Sequence, residues 1–179
     1  MIIDPDDPIA SPLGWHNDGT TSTTNTTYVH FFLVGTKFTT SWPIICSGNN
    51  VQTFKWLDPG YAYTNSQQSS ASQSLIFDYP ADSNLEPGVF VNGTYPNLDA
   101  ARTNAFYVMN VMHDFFWQYG FTEDAFNYQV KNLGGRGANT KSNDPVRVSV
   151  QAADTGENNA FFASPAEYVL FFLRWCPEF

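Results

Sequence analysis

Positive charge is scarce in this chain. Eight Lys and Arg stand against 17 Asp and Glu, giving a formal net charge of -9. So few cations cannot neutralise a run of phosphates, which excludes a nucleic-acid-binding role. Cysteine is almost missing: Cys46 and Cys176 could form one disulfide, but two thiols set no framework, and whether they pair stays open. No apolar run approaches the length of a membrane span, so no membrane partner is expected. The opening, M-I-I-D-P-D-D-P, has neither a basic n-region nor an apolar h-region, so no signal peptide is visible.

What is there belongs to a folded domain. The 179 residues suffice for one sizeable core. Low charged content (14%) beside 17% aromatic residues, with many Thr, Ser, Asn, Gly and Pro, is the composition of a secreted, loop-rich protein rather than a disordered one. Asn25-Thr26-Thr27 and Asn92-Gly93-Thr94 are glycosylation sequons, placing candidate glycans on Asn25 and Asn92 if the chain enters the secretory pathway.

One long segment has a helical period, about 99–120. Phe106, Met109, Met112, Phe116 and Tyr119 recur on a helical spacing, widened by Ala105 and Phe115, and read as a core-facing stripe. Asp99 suits the N-cap and Gly120 the C′ position, with Phe121 placed to pack back on the last turn. The aromatic residues Phe115, Phe116, Trp117 and Tyr119 could stack on carbohydrate, but at helical spacing such a cluster reads as core.

Around this helix the chain reads as short strands and loops. Asp4, Asp6 and Asp7 lie in a proline-rich turn and read as solvated acids, since a calcium loop needs more oxygen ligands at tighter spacing. Tyr28 to Ile45 is the most apolar run and reads as a hairpin of two strands around Gly35-Thr36. Residues 58–74 are a polar loop without periodicity, and Leu75 to Tyr79 is a short strand stopped by Pro80. Gly134, Gly135 and Gly137 read as a turn, because the lysine-serine pair of a phosphate loop is missing. Val146, Val148 and Val150 alternate with Arg147, Ser149 and Gln151, the pattern of a half-buried strand.

Five segments in order carry a family resemblance. They are Ser11-Pro12-Leu13-Gly14-Trp15-His16, Gly48-Asn49-Asn50-Val51, the helix with Phe106-Tyr107, Asn110, His113-Asp114 and Tyr119-Gly120-Phe121, then Asn143-Asp144-Pro145-Val146, and Asn158-Asn159-Ala160-Phe161-Phe162-Ala163. The pattern resembles the fungalysins, secreted fungal zinc metalloendopeptidases. It implies an α+β chain: the β-rich N-terminal portion of a thermolysin-like metalloprotease domain, one long helix packed on short strands. Residues 1–179 would then form a single partial domain, with 166–179 a divergent tail after the match stops at Pro165. Residues 30–47 interrupt the match as an insert, a translated intron or lineage-specific segment on one reading and an ordinary buried hairpin on the other. The family's signal peptide and propeptide would lie upstream.

The resemblance also implies a substrate strand. Asn159 and Ala160 would bind substrate backbone in extended form at a sheet edge, although Asn158-Asn159 read equally as a polar turn after Gly156. Zinc would serve the intact family, with protein or peptide substrate and the propeptide as partners and an extracellular location. Yet such a protease needs two histidines one helical turn apart, a glutamate beside the first, and a third ligand. This chain has only His16, His30 and His113, and no H-E-x-x-H. No catalytic residue and no metal ligand is therefore assigned.

Other chemistries fare no better. His113-Asp114 could be an oriented histidine, but neighbours on a helix point about 100° apart; a histidine hydrogen-bonded within the fold is the expectation. No G-x-S-x-G elbow accompanies it. Glu123-Asp124 as a glycosidase pair cannot be tested by spacing. The chain reads as a truncated metalloendopeptidase fragment, inactive alone. The competing classes are a non-catalytic secreted glycoprotein that binds partners, such as the family's propeptide, and a carbohydrate-binding β protein.

Overall fold

The computed structural model describes residues 2–3, 6–15, 26–30, 33–37, 46, 48–55, 76–77, 79, 81–82, 84–85, 95–133, 142–151, 159–163 and 169–174. The chain is α+β. In order, its elements are β1 (Ile2–Ile3), β2 (Thr26–His30), β3 (Leu33–Lys37), β4 (Val51–Phe54), β5 (Ile76–Phe77), α1 (Leu98–Gln118), a 3-10 turn at Glu123–Ala125, β6 (Val146–Val150), β7 (Asn159–Ala163) and β8 (Val169–Arg174). The strands form two sheets, one ordered β1-β2-β3-β5 and the other β4-β6-β8-β7. The first is antiparallel throughout. In the second, β6 runs parallel to both β4 and β8, and β7 returns antiparallel along β8.

Helix α1 begins and ends for different reasons. At its start Asn97 takes a left-handed conformation, φ 58°, and its side chain does not cap the helix. It spans outward instead: Asn97 Nδ2 donates to the Asp82 carbonyl and Oδ1 accepts the Asp82 N–H, both at 2.8 Å. Asp99 is therefore not the N-cap. It sits in the first turn and accepts from Arg102 Nη1 at 3.2 Å. The end follows the expected chemistry. Gly120 has φ +97°, the Gly120 N–H bonds the Trp117 carbonyl, and the Phe121 N–H reaches back to Phe116. This pair of reversed bonds is a Schellman motif, which a residue with a Cβ would strain.

The helix packs on β4 and β6. Its N-terminal half contributes Leu98 and Phe106 to a core with Trp15, Cys46, Val51, Val148 and Val150. Ala105 and Met109 pack against that core, but Met112, Phe115, Phe116 and Tyr119 are exposed. The expected core stripe thus fails beyond Met109. Steps of three residues advance by 300° around the helix, so such a row drifts about 60° per step off the face where it began. The buried row is Leu98, Arg102, Phe106, Asn110 and Asp114, at strict steps of four, and its last two members are polar.

Two strand expectations also change. The register His30↔Leu33 places the reversal of the first hairpin between those residues, and Gly35 and Thr36 lie inside β3. Strand β6 is not half-buried: Val148, Ser149 and Val150 are all buried. With β4 on one side and β8 on the other it is an interior strand of a largely parallel sheet, and its three consecutive buried residues place cover on both of its own faces. Residues 166–179 supply β8 to that sheet, and β3 lies within residues 30–47. Residues 16–25, 38–45, 56–75, 86–94, 134–141, 152–158, 164–168 and 175–179 fall outside the described residues, and with them His16, Asn25, Asn92, Gly134, Gly135, Gly137, Asn158 and Cys176.

Cys46 is a buried free thiol, with Thr103 Oγ1 3.7 Å from its Sγ. Loss of solvent pushes it from 9.0 up to about 11. The folded chain keeps this proton where the unfolded chain has lost it. The stabilisation is whole below about pH 9 and disappears as pH rises toward about 11. Denaturant unfolding should lose on the order of 2–3 kcal/mol over that window in the wild type compared with Cys46→Ala; parallel pH profiles for the two proteins would contradict it.

Candidate functional site: a saturated carboxylate and a terminal strand

Asp114 ends the buried row of α1, and its carboxylate gathers donors from two directions. Oδ2 accepts the backbone N–H of Asp7 at 2.9 Å and the indole Nε1–H of Trp15 at 2.7 Å. Oδ1 accepts the Ser11 hydroxyl at 2.6 Å and faces His113 Nδ1 at 2.9 Å. The neighbouring side chains therefore do meet, contrary to the expectation from their helix positions. An ionised carboxylate only accepts, so the contact assigns the proton to Nδ1. His113 Nε2 is then the acceptor for Asn127 Nδ2 at 3.3 Å.

The network continues inward. Asn50 Nδ2 donates to Ser11 Oγ at 3.0 Å and approaches Asn110 Oδ1 at 3.2 Å, while its Oδ1 accepts from Gln129 Nε2 at 3.0 Å. Asn110 Nδ2 bonds the Phe106 carbonyl one turn back. Asn49 pairs with the backbone of Lys131 through both ends of its amide, at 2.8 and 2.9 Å. Asp144 Oδ1 accepts the Gln129 N–H at 3.2 Å, and partial burial raises the Asp144 carboxyl above its ordinary value. The G-N-N-V, helix and N-D-P-V segments, far apart in sequence, thus share one buried polar network with residues 7–15.

Asp7 anchors the outer end. Its Oδ1 accepts the N–H groups of Ile9 and Ala10, and its Oδ2 accepts from Gln118 Nε2. The bond from Ala10 is the main reason its carboxyl lies below the usual carboxylate range. One oxygen thus closes the turn and the other ties it to the end of α1; Asp4 is outside the described residues.

The other candidate groups separate. Glu123 is buried and accepts the Trp117 indole N–H at 3.1 Å, whereas Asp124 is exposed, so the two do not share a cleft as a glycosidase pair would. The Phe115 ring lies at 79° to Phe116 and at 40° to Tyr119, which gives no common plane for a sugar. Strand β7 begins at Asn159, making that residue strand rather than turn, and among the described residues it is the terminal strand of its sheet. Ala160 is exposed, on the register Ala160↔Leu173.

A zinc centre does not fit these donors. His113 has both ring nitrogens engaged by Asp114 and Asn127, and no group of three or more His, Cys, Asp or Glu is arranged to hold a metal among the described residues. The Asp114 network has its carboxylate satisfied from four sides; its chemistry is that of a brace. Sequence reading picked out most of its members as motif residues but not Gln129 or Asn127, whose only signal was an amide-containing stretch before Gly134 and Gly135.

The fold is α+β and the network joins segments dispersed along the chain; comparison with known proteins supplies the family. Residues 1–168 match the fungalysin metallopeptidase family, and the chain belongs to that family. It is 33% identical over 157 residues to extracellular metalloproteinase 5 of Trichophyton tonsurans, covering 88% of this chain and 21% of the relative. It is 34% identical over 167 residues to extracellular metalloproteinase MEP of Pyricularia oryzae, covering 93% and 21%. Against extracellular metalloproteinase 1 of Arthroderma otae it is 39% identical over 120 residues, 67% of this chain and 17% of the relative. The chain spans about a fifth of the length of these relatives.

If the carboxylate is the brace, Asp114→Asn should be costly. The amide NH2 must face one of four donors, and charge-assisted bonds are lost. Denaturant unfolding monitored by tryptophan fluorescence should show a loss of about 3 kcal/mol or more. A loss under 1 kcal/mol would mean that the segment 7–15 is held by apolar contact alone.

Proposed function

We propose that this chain is the N-terminal, β-rich portion of a secreted zinc metalloendopeptidase domain, supplying scaffold and a substrate strand while the zinc ligands come from elsewhere in the polypeptide. The observation that carries the reading is the convergence of four of the five fungalysin-like segments on the Asp114 network, within a chain whose residues 1–168 match the family. The relatives are named extracellular metalloproteinases, and no described helix is long and apolar enough to cross a membrane. The relatives' names support an extracellular location and peptide substrates; glycans at Asn25 and Asn92 and synthesis as a zymogen are part of the same proposal, the former resting on the two sequons. On this reading residues 30–47 are an insertion and 166–179 a divergent tail. Cys46, part of the core, sets a limit on how far the insertion extends.

The 179-residue chain alone should hydrolyse neither casein nor elastin and should carry no stoichiometric zinc, because it contains no H-E-x-x-H. Chelator-sensitive proteolysis by the pure chain would refute this.

The substrate strand is β7. A peptide adding to a terminal strand pairs through main chain, and the Asn159 amide fixes its register. In a complete protease carrying this segment, Asn159→Ala should lower kcat/KM by roughly 1–3 kcal/mol while zinc content stays the same. An unchanged specificity constant would remove Asn159 from substrate binding.

A further inference from the structure

Helix α1 has a second face. Val108, Val111, Met112, Phe115, Phe116 and Tyr119 are each between 37% and 77% exposed. Their spacing, i, i+3, i+4, i+7, i+8 and i+11, forms one straight apolar row opposite Phe106, Asn110 and Asp114. No charge interrupts it. The row is about 17 Å long, from 1.5 Å of rise per residue. Phe115 sits 5.4 Å from Phe116 and 4.9 Å from Tyr119 by ring centroids, so the aromatic end is a ridge rather than isolated side chains.

A solvated helix face carries charge, and contiguous apolar surface of this kind marks contact with another element. What lies outside the chain says which. The relatives are about five times longer than the part matched here, so most of the polypeptide that would accompany this segment is missing from it. We propose that the exposed row of α1 is the docking surface for the remainder of the fungalysin polypeptide, received as a helix whose apolar ridge packs between Met112, Phe115 and Phe116. Ridges three and four residues apart on α1 offer the grooves such a helix fills. The proposal rests on the reading of the chain as a portion of a larger protease, and deepens it by naming the face through which the two parts join.

The test co-expresses the 179-residue chain, tagged, with the Pyricularia oryzae metalloproteinase lacking its matched segment, and measures capture and hydrolysis separately. Capture by the wild type, lost at least tenfold in Met112→Glu/Phe116→Glu, is the expected result. The variant Val111→Lys/Phe115→Lys repeats the loss with opposite charge, and circular dichroism with thermal unfolding verifies that each variant folds. Lys131→Glu, on an exposed site in the loop after α1 and off the helix, should capture as the wild type does. Equal capture by wild type and row variants, or no capture by the wild type, overturns the proposal. Concentration-dependent self-association that the same variants abolish also overturns it, in favour of a second copy. Capture without chelator-sensitive hydrolysis keeps the docking face and removes the protease reading.

Discussion

A carboxylate enclosed in protein must be given back the hydrogen bonds that water supplied, or several kcal/mol are lost. For Asp114 the replacements are the backbone N–H of Asp7, the Ser11 hydroxyl, the Trp15 indole and the His113 ring. Three of the four come from residues 7–15. That segment has almost no regular structure, yet its path is set, because moving any one donor leaves the charge short of a partner. Trp15 is then carried to the core beside Tyr107, with ring centroids 5.7 Å apart. The hydrophobic contact and the polar one specify the same position.

The amide side chains extend this constraint to the sheet. Asn50, just before β4, accepts from Gln129 and donates to Ser11, while its carbonyl accepts the N–H of Val146 at the start of β6. One residue thus links the N-terminal segment, the loop after α1 and two parallel strands. Buried networks of this kind make a conformation unique rather than merely stable, since every member must be satisfied at once. The chain places it where α1 meets the sheet, and the same helix turns its apolar row outward.

In the C-terminal half of α1, buried Asn110 and Asp114 opposite an exposed apolar row invert the usual pattern of a surface helix. Composition alone would place Phe115 and Phe116 inside and Asn110 and Asp114 outside. The polar residues lock to residues 7–15 and 50, and the apolar row is left exposed.

Local chemistry was legible in the sequence. The helix, its Gly120 end, the strand at Val146–Val150 and the short strand before Pro80 follow from periodicity and from glycine and proline, which act within a few residues, while the α+β class came with the family resemblance. Family membership was legible from five ordered segments for the same reason, since motif order is a property of the chain itself. Which helix face is buried was not. A row at i, i+3 and i+6 and a row at steps of four share Phe106, and only the sheet packed against α1 selects between them. Nor was the meeting of His113 with Asp114, because it depends on donors from residues 7–15 and 127 that fix both side chains. Hydrophobic pattern records what must leave water, but where a buried charge finds its four donors is decided only when distant segments come together.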